Sequence, residues 1–188
     1  MSNALDRAPD IAAAQRFLDA LRGSCNFTFM ALPEGDKKGT APPIVLHGTL
    51  DQHGAALVDL NRCGYGVFVM INEGDLRARK AENVLKVRAH FVDLDGAPIE
   101  PVVGCAAPPS IVVNTSPGRY HAYWLNDDCP LQEFKPRQQA LAMRFGGDST
   151  VCDLPRVMRL PGFFHVKTAE PYLVAVITNE STQNESES

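Results

Sequence analysis

The spacing of polar and apolar positions changes several times along this chain, and each change marks an element. Ile11, Ala14, Phe17, Leu18 and Leu21 recur at helical spacing, which predicts an amphipathic helix over 11–21 with Asp10 as N-cap and Gly23 as stop. Residues 26–31 read as a strand, followed by a Gly/Lys/Pro-rich loop over 34–43. A second helix is expected over 50–62, ending before Gly64, with Gly54 a weak point inside it. Val67, Phe68, Val69 and Met70 make 66–71 a strand, and 72–83 is a polar, basic crossing. A β-branched apolar run then occupies 87–94. Residues 98–109 form a proline-punctuated connection too poor in polar residues to be a disordered linker.

Two short strands, 110–114 and 119–125, flank Thr115-Ser116-Pro117-Gly118 and predict a β-hairpin with a Pro-Gly turn. Phe134, Gln138, Leu141, Ala142 and Phe145 give 131–145 a helical period, stopped by Gly146-Gly147. A last strand is expected over 172–177. The Asn/Glu/Ser/Gln/Thr composition of 178–188 predicts a disordered polar tail. About six strands and three or four helices, with strands both in hairpins and separated by helices, make 1–177 an α+β domain. The chain has no internal repeat and no Gly-rich phosphate loop.

At 188 residues and 45% hydrophobic content, the chain suits one domain with a sizeable core. No run approaches the roughly 20 apolar residues of a membrane span, and the first residues lack the basic and apolar blocks of a signal peptide, so a cytoplasmic protein is expected. Five widely spaced cysteines with no C-x-x-C pair argue against a zinc or disulfide framework and read mostly as small buried hydrophobes. A net charge of −4 excludes a global basic field for nucleic acid. Any such contact must be local. Arg77, Arg79, Lys80, Lys86 and Arg88 form a basic cluster, read by preference as an ordinary solvated surface.

The chemistry concentrates at Phe91-Val92-Asp93-Leu94-Asp95-Gly96. Residues two apart on a strand share a face, so Asp93 and Asp95 project together while Val92 and Leu94 face the core. Adjacent carboxylates repel unless a cation or proton neutralises them, and Mg²⁺ is held by a few carboxylates plus substrate phosphates. The competing reading is a strand end entering an Asp-Gly turn. On the hairpin, Arg119, His121 and Tyr123 share a face and offer an anion cradle, although a histidine on a sheet is often just hydrogen-bonded. In 151–162, Asp153 is expected to N-cap a single helical turn, which aligns Arg156 and Arg159 for polyphosphate. Gly146, Gly147 and Gly162 allow close backbone approach there.

F-V-D-L-D-G, S-P-G-R-Y-H-A-Y-W and D-L-P-R-V-M-R-L-P-G-F-F-H-V-K, in that order, resemble the three successive motifs of the archaeo-eukaryotic primase superfamily. They are most similar to the RepB-like primase, or primase-polymerase, domains of plasmids, phages and integrated elements, over roughly 61–167. The resemblance implies an RRM-like antiparallel sheet flanked by helices, and Mg²⁺- or Mn²⁺-dependent, template-directed nucleotidyl transfer that initiates strands on single-stranded DNA. It implies Asp93, Asp95 and Asp153 as catalytic metal ligands, and Ser116 with His121 as the second-motif pair, whose His binds the incoming nucleoside triphosphate. Arg119, Arg156 and Arg159 are added from their chemistry as phosphate or template contacts. Members often carry a C-terminal helical bundle or a helicase, so either a separate helicase or helical-bundle partner supplies those functions or this is a catalytic domain excised from a longer chain. Two other readings stay open: a catalytically weak single-strand-binding accessory module, and a metal-dependent nuclease or replication initiator. The second lacks a His-hydrophobe-His pair among the five histidines.

Overall fold

A computed structural model of the chain describes residues 8–21 and 23–177. The expected polar tail lies outside them. In chain order the elements are α1 (Ile11–Ala20), β1 (Phe27–Pro33), β2 (Ile44–Gly48), α2 (Leu50–Arg62), β3 (Tyr65–Met70), β4 (Glu73–Gly74), β5 (Val84–Lys86) and β6 (Ala89–Asp95). They continue as α3 (Glu100–Val103), β7 (Ile111–Ser116), β8 (Arg119–Leu125), α4 (Leu131–Phe145), β9 (Val157–Arg159), β10 (Phe164–His165), β11 (Tyr172–Leu173) and β12 (Ala175–Ile177). The helices obey their sequence signals. The Asp10 carboxylate accepts from the Ala13 N–H at 2.9 Å, Thr49 and Gln52 close a capping box on α2, and Gly146 ends α4 in the left-handed region at φ 68°.

Two four-stranded antiparallel sheets carry the fold, one in the order β2-β1-β3-β9 and the other β12-β7-β8-β6. The α+β class with antiparallel sheets and flanking helices is as expected, but the sheet is divided in two. The strand β2 is an addition to the sequence reading. It is an edge strand paired only to β1, so it is half-exposed and carries little hydrophobic signal. The last expected strand is broken at Val174 into β11 and β12, which pair with β10 and β7 respectively.

Phe17, Phe29, Phe91, Tyr123, Phe134 and Phe163 are fully buried where the two sheets, α1 and α4 meet. Each such side chain contributes roughly 2–3 kcal/mol of burial free energy. A second cluster of Val92, Leu94, Val102, Val112 and Ala122, lined by Trp124 and Phe145, fills the opposite face of the second sheet. The strand β6 is therefore buried on both faces, His90 included, until it reaches its carboxylates. Of the five free cysteines only Cys129 is buried, while Cys25 and Cys63 are exposed. The expectation that most would be core residues is corrected: Cys25 lies just before β1 and Cys63 caps the end of α2, both connections at the surface.

Gly162 ties the start of α1 to the chain between β11 and β12. Its backbone C=O accepts from the Asp10 N–H at 2.7 Å and its N–H donates to Val174 at 2.8 Å. At φ +87°, a Cβ there would lie 2.1 Å from the Asp10 carbonyl oxygen. Gly162→Ala is expected to cost about 2 kcal/mol, read as a fall in the midpoint of urea unfolding with little change in slope.

Candidate active site

The register of β6 on β8 places Asp93 opposite His121, Asp95 opposite Arg119 and Phe91 opposite Tyr123. These pairs line one face of the sheet, which runs from sealed core to solvent. Phe91 and Tyr123 are fully buried. Asp93 and His121 occupy the boundary, with side chains 30% and 8% exposed. Asp95 and Arg119 form an ion pair at the open end. The hairpin turn Pro117-Gly118, with Gly118 at φ 71°, brings Ser116 beside Arg119. The Ser116 hydroxyl is buried and has no partner among the described residues.

The outer edge of β6 is filled by α4 and the segment after it. The Phe91 N–H donates to Gln138 Oε1 at 3.2 Å, and the Gln138 amide donates back to the Phe91 carbonyl and to Val151 at 3.2 Å. One position along, the Asp148 N–H donates to the Asp93 carbonyl at 3.0 Å. A Cβ on the intervening Gly147 would lie 2.2 Å from Val92 and 3.0 Å from the Asp93 carbonyl oxygen. The glycine thus permits the approach that sets Asp148 against Asp93.

Burial, and then the charges of Asp95 and Asp148, push the Asp93 carboxyl up to about 6, against a smaller downward pull from Arg156 and Arg159. His121 moves the other way. Burial, with Arg159 and His165 nearby, lowers it to about 3, so the imidazole is neutral at physiological pH. His121 Nε2 lies 3.7 Å from Asp93, too far for a hydrogen bond, and the two are not oppositely charged at neutral pH. The contact is therefore a carboxylate facing a neutral ring. His121 Nδ1 is 3.2 Å from the Tyr123 hydroxyl. That phenol is fully buried and held protonated by burial and by Asp93. A Tyr123 O–H donating to Nδ1 would place the ring proton on Nε2, the nitrogen facing the carboxylates.

The third motif departs from the expected shape. The Arg156 N–H reaches the Asp153 carbonyl at 3.2 Å, closing one turn, but the chain then extends as β9, with Met158 opposite Val69 on β3. Burial of Met158 and Leu160 favours the extended form over the helical turn, so Arg156 and Arg159 do not share a helix face. Arg156 pairs with Asp153 and donates to the Thr150 carbonyl at 2.7 Å. Arg159 pairs with Glu34. Both arginines are close enough to act on Asp93, and Asp153 is held beside them by its ion pair with Arg156. The basic cluster also disperses. Arg88 is buried, 4.5 Å from the Phe27 ring centre and 3.7 Å from Glu73, Arg79 donates to the Pro155 carbonyl, and Lys86 pairs with Asp127.

The structure therefore brings together Asp93, Asp95, Arg119, His121, Arg156 and Arg159, and adds Asp148, which the sequence reading missed. Its signal was a Gly-Gly-Asp sequence immediately after a helix. Among the described residues, no three His, Cys, Asp or Glu side chains cluster as a ready-made metal site. The donor chemistry nevertheless fits a divalent cation. The Asp93 carboxyl, raised by burial and by the neighbouring Asp95 and Asp148 charges, gains from a cation, and Mg²⁺ is usually held by one or two carboxylates, with substrate phosphates and waters completing its shell.

Tyr123→Phe would leave Nδ1 without its donor and free the ring to change tautomer. The expected result is a mixed His121 tautomer, read from its imidazole ¹⁵N chemical shifts, with little change in melting temperature.

Solved structures with this fold define its class. The primase domain of the cyanophage S-2L primase-polymerase superposes with a TM-score of 0.76 at 20% identity, covering 92% of this chain and 91% of that one. Primase RepB′ superposes at 0.67 and 20% identity over 89% of this chain, which spans 56% of that longer protein. The catalytic domain of RepB′ in complex with initiator DNA gives 0.66 and 21% identity, covering 89% and 84% of the two chains. The fold matches the archaeo-eukaryotic primase architecture of these structures. The chain belongs to the RepB DNA-primase N-terminal domain family, whose model matches residues 78–184. No curated protein matches it. Among the described residues, no helix is long and apolar enough to cross a membrane.

Proposed function

We propose that this domain catalyses template-directed nucleotidyl transfer, initiating strands on single-stranded DNA during replication of a plasmid, phage or integrated element. The observation that supports this most is the cross-strand juxtaposition of Asp93 and Asp95 with a neutral His121 and Arg119 on one sheet face. The opposed functions suit a triphosphate approached by a cation on one side and by hydrogen-bond donors on the other. Asp93 and Asp95 would hold Mg²⁺ or Mn²⁺, with Asp148 the best-placed third carboxylate, ahead of Asp153. Such an ion lowers the pKa of an attacking 3′-hydroxyl and neutralises the triphosphate.

The remaining roles fall to the chain itself. His121 donates from Nε2–H to a phosphate oxygen, and its neutrality means that it needs no proton from solvent to do so. Arg119 is held by Asp95, a reversible partner that a phosphate can replace. Arg156 and Arg159 supply fixed positive charge on the other side of Asp93, and the Ser116 hydroxyl offers a further donor. No protein nucleophile is required, because the attacking group belongs to the primer or the first nucleotide.

The test is incubation with single-stranded template, Mg²⁺ or Mn²⁺ and labelled ribo- or deoxynucleoside triphosphates, beside Asp93→Ala/Asp95→Ala. Short template-dependent products that vanish in the variant are expected. Template binding without products, with or without an annealed primer, would favour the single-strand-binding accessory module.

A further inference from the structure

Outside the carboxylate face, a buried ion pair joins residues 125 positions apart. Glu34, just after β1, receives the Arg159 guanidinium on both oxygens, at 2.6 and 3.3 Å. Their side chains are only 10% and 13% exposed. The Val166 N–H adds a bond to Glu34 Oε2 at 3.3 Å. Below the guanidinium, the Phe68 ring centre lies 4.7 Å away, with Phe68 directly opposite Arg159 across β3 and β9. Gly66 leaves the space that the carboxylate occupies, since a Cβ there would lie 2.6 Å from Glu34 Cδ.

Burying two charges is expensive, and a well-packed apolar pair of the same volume is often at least as stable. Stability alone is therefore a weak reason for the pair. What the pair supplies is direction. A guanidinium has five N–H donors, and Glu34 takes two of them, leaving the others for a second acceptor. The Val166 N–H that bonds Glu34 follows His165, whose Nδ1 lies 3.1 Å from the Thr115 carbonyl beside Ser116, so the pair is braced against the hairpin that carries His121.

We infer that Glu34 is a positioning residue for the incoming nucleotide: it fixes the Arg159 guanidinium so that its remaining N–H groups meet triphosphate oxygens beside His121. This rests on the nucleotidyl-transfer reading above. Glu34 itself touches no substrate. Its action passes through Arg159, and that makes the inference testable by a double-mutant cycle.

The measurements are kcat and KM for a nucleoside triphosphate in template-directed incorporation, calorimetric binding of a non-hydrolysable triphosphate with Mg²⁺, and melting temperature. The variants are Glu34→Gln, Arg159→Ala and the double variant. Glu34→Gln is expected to lower kcat about tenfold or more, with KM changed less than about threefold, because the arginine charge remains while its aim is lost. In the Arg159→Ala background the same change is expected to have no further effect on kcat. Gly66→Ala, which pushes the Glu34 carboxylate aside without removing a charge, is expected to reproduce the kcat loss and covers the case in which Glu34→Gln fails to fold. A purely structural staple predicts a lower melting temperature with kcat intact, and that result overturns the inference. So does an equal kcat loss with and without Arg159. If the wild type incorporates nucleotides and these variants do too, only this inference fails. If the wild type neither incorporates nor binds nucleotides, the nucleotidyl-transfer reading fails and takes this one with it.

Discussion

Asp93→Asn is expected to reduce nucleotide incorporation by about a thousandfold or more while making the metal-free protein more stable at neutral pH. The first effect follows from removing the carboxylate at the centre of the site, a loss of about 4 kcal/mol of transition-state stabilisation. The second follows from the raised carboxyl. Asp93 titrates near 6 in the folded protein against 3.8 in an exposed carboxylate, so the native state binds the extra proton more tightly than the unfolded chain. The associated stability is complete below about pH 4 and is lost as pH rises through 6, on the order of 1 to 3 kcal/mol. Asparagine keeps the shape without that loss.

His121 contributes with the opposite sign. Its pKa is lowered from 6.5 to about 3 by burial, so its contribution is present above pH 6.5 and is lost as pH falls towards 3. Between pH 4 and 6 the two slopes oppose each other in the wild type. In Asp93→Asn the opposing slope is gone, and His121 acts together with His90 and His165, which burial also lowers. Thermal unfolding in EDTA from pH 4 to 8 should show a melting temperature that climbs more steeply between pH 4 and 6 in the variant than in the wild type and ends higher near neutrality. A variant less stable than wild type at pH 7.5 would contradict the account.

Gly147→Ala should lower incorporation by about a hundredfold although the residue carries no functional group. The added Cβ meets Val92 at 2.2 Å and the Asp93 backbone oxygen at 3.0 Å. The second contact is with backbone, which cannot rotate away, so the 146–148 segment must lift off β6. The Asp148 to Asp93 hydrogen bond is then lost, along with the placement of both carboxylates. Misplacement on the scale of 1 Å is enough for such a rate loss. Gly39→Ala is the control: it also has a positive φ, +82°, but nothing lies within 4 Å of the added Cβ. It is expected to lose about 1 kcal/mol of stability and no activity. Equal activity of the two variants would mean that the Asp148 segment has no part in the site.

The local grammar of the chain carried much of this. The helix over Leu131–Phe145 and its Gly146 stop, and the hairpin that carries His121, follow from periodicity and turn chemistry that act within a few residues. Alternation also put Asp93 with Asp95, and Arg119 with His121, on common faces. What alternation cannot supply is which strand lies beside which. The pairing of Asp93 with His121 depends on the register between β6 and β8, and only the motif resemblance linked the two segments beforehand.

The features that stayed hidden are all long-range. The strand Val157–Arg159 reads locally as part of a capped turn, and its extended form is imposed by β3 and by the burial of Met158. Asp148 gains meaning only because the α4 exit is bonded to the edge of β6. Glu34 sits in a loop that reads as a polar connection, yet its carboxylate is spent on an arginine from the other end of the chain. Arg88, counted with a basic surface cluster, is buried because a carboxylate and an aromatic ring await it.

The most direct test of the central claim is titration of Mn²⁺ into the purified protein, followed by electron paramagnetic resonance, with and without a non-hydrolysable nucleoside triphosphate. The account predicts weak Mn²⁺ binding to the protein alone, binding at least tenfold tighter with the triphosphate present, because phosphates complete the coordination shell, and loss of that enhancement in Asp93→Asn. Enhancement that survives in Asp93→Asn would place the cation elsewhere and contradict the assignment of this face as the catalytic site.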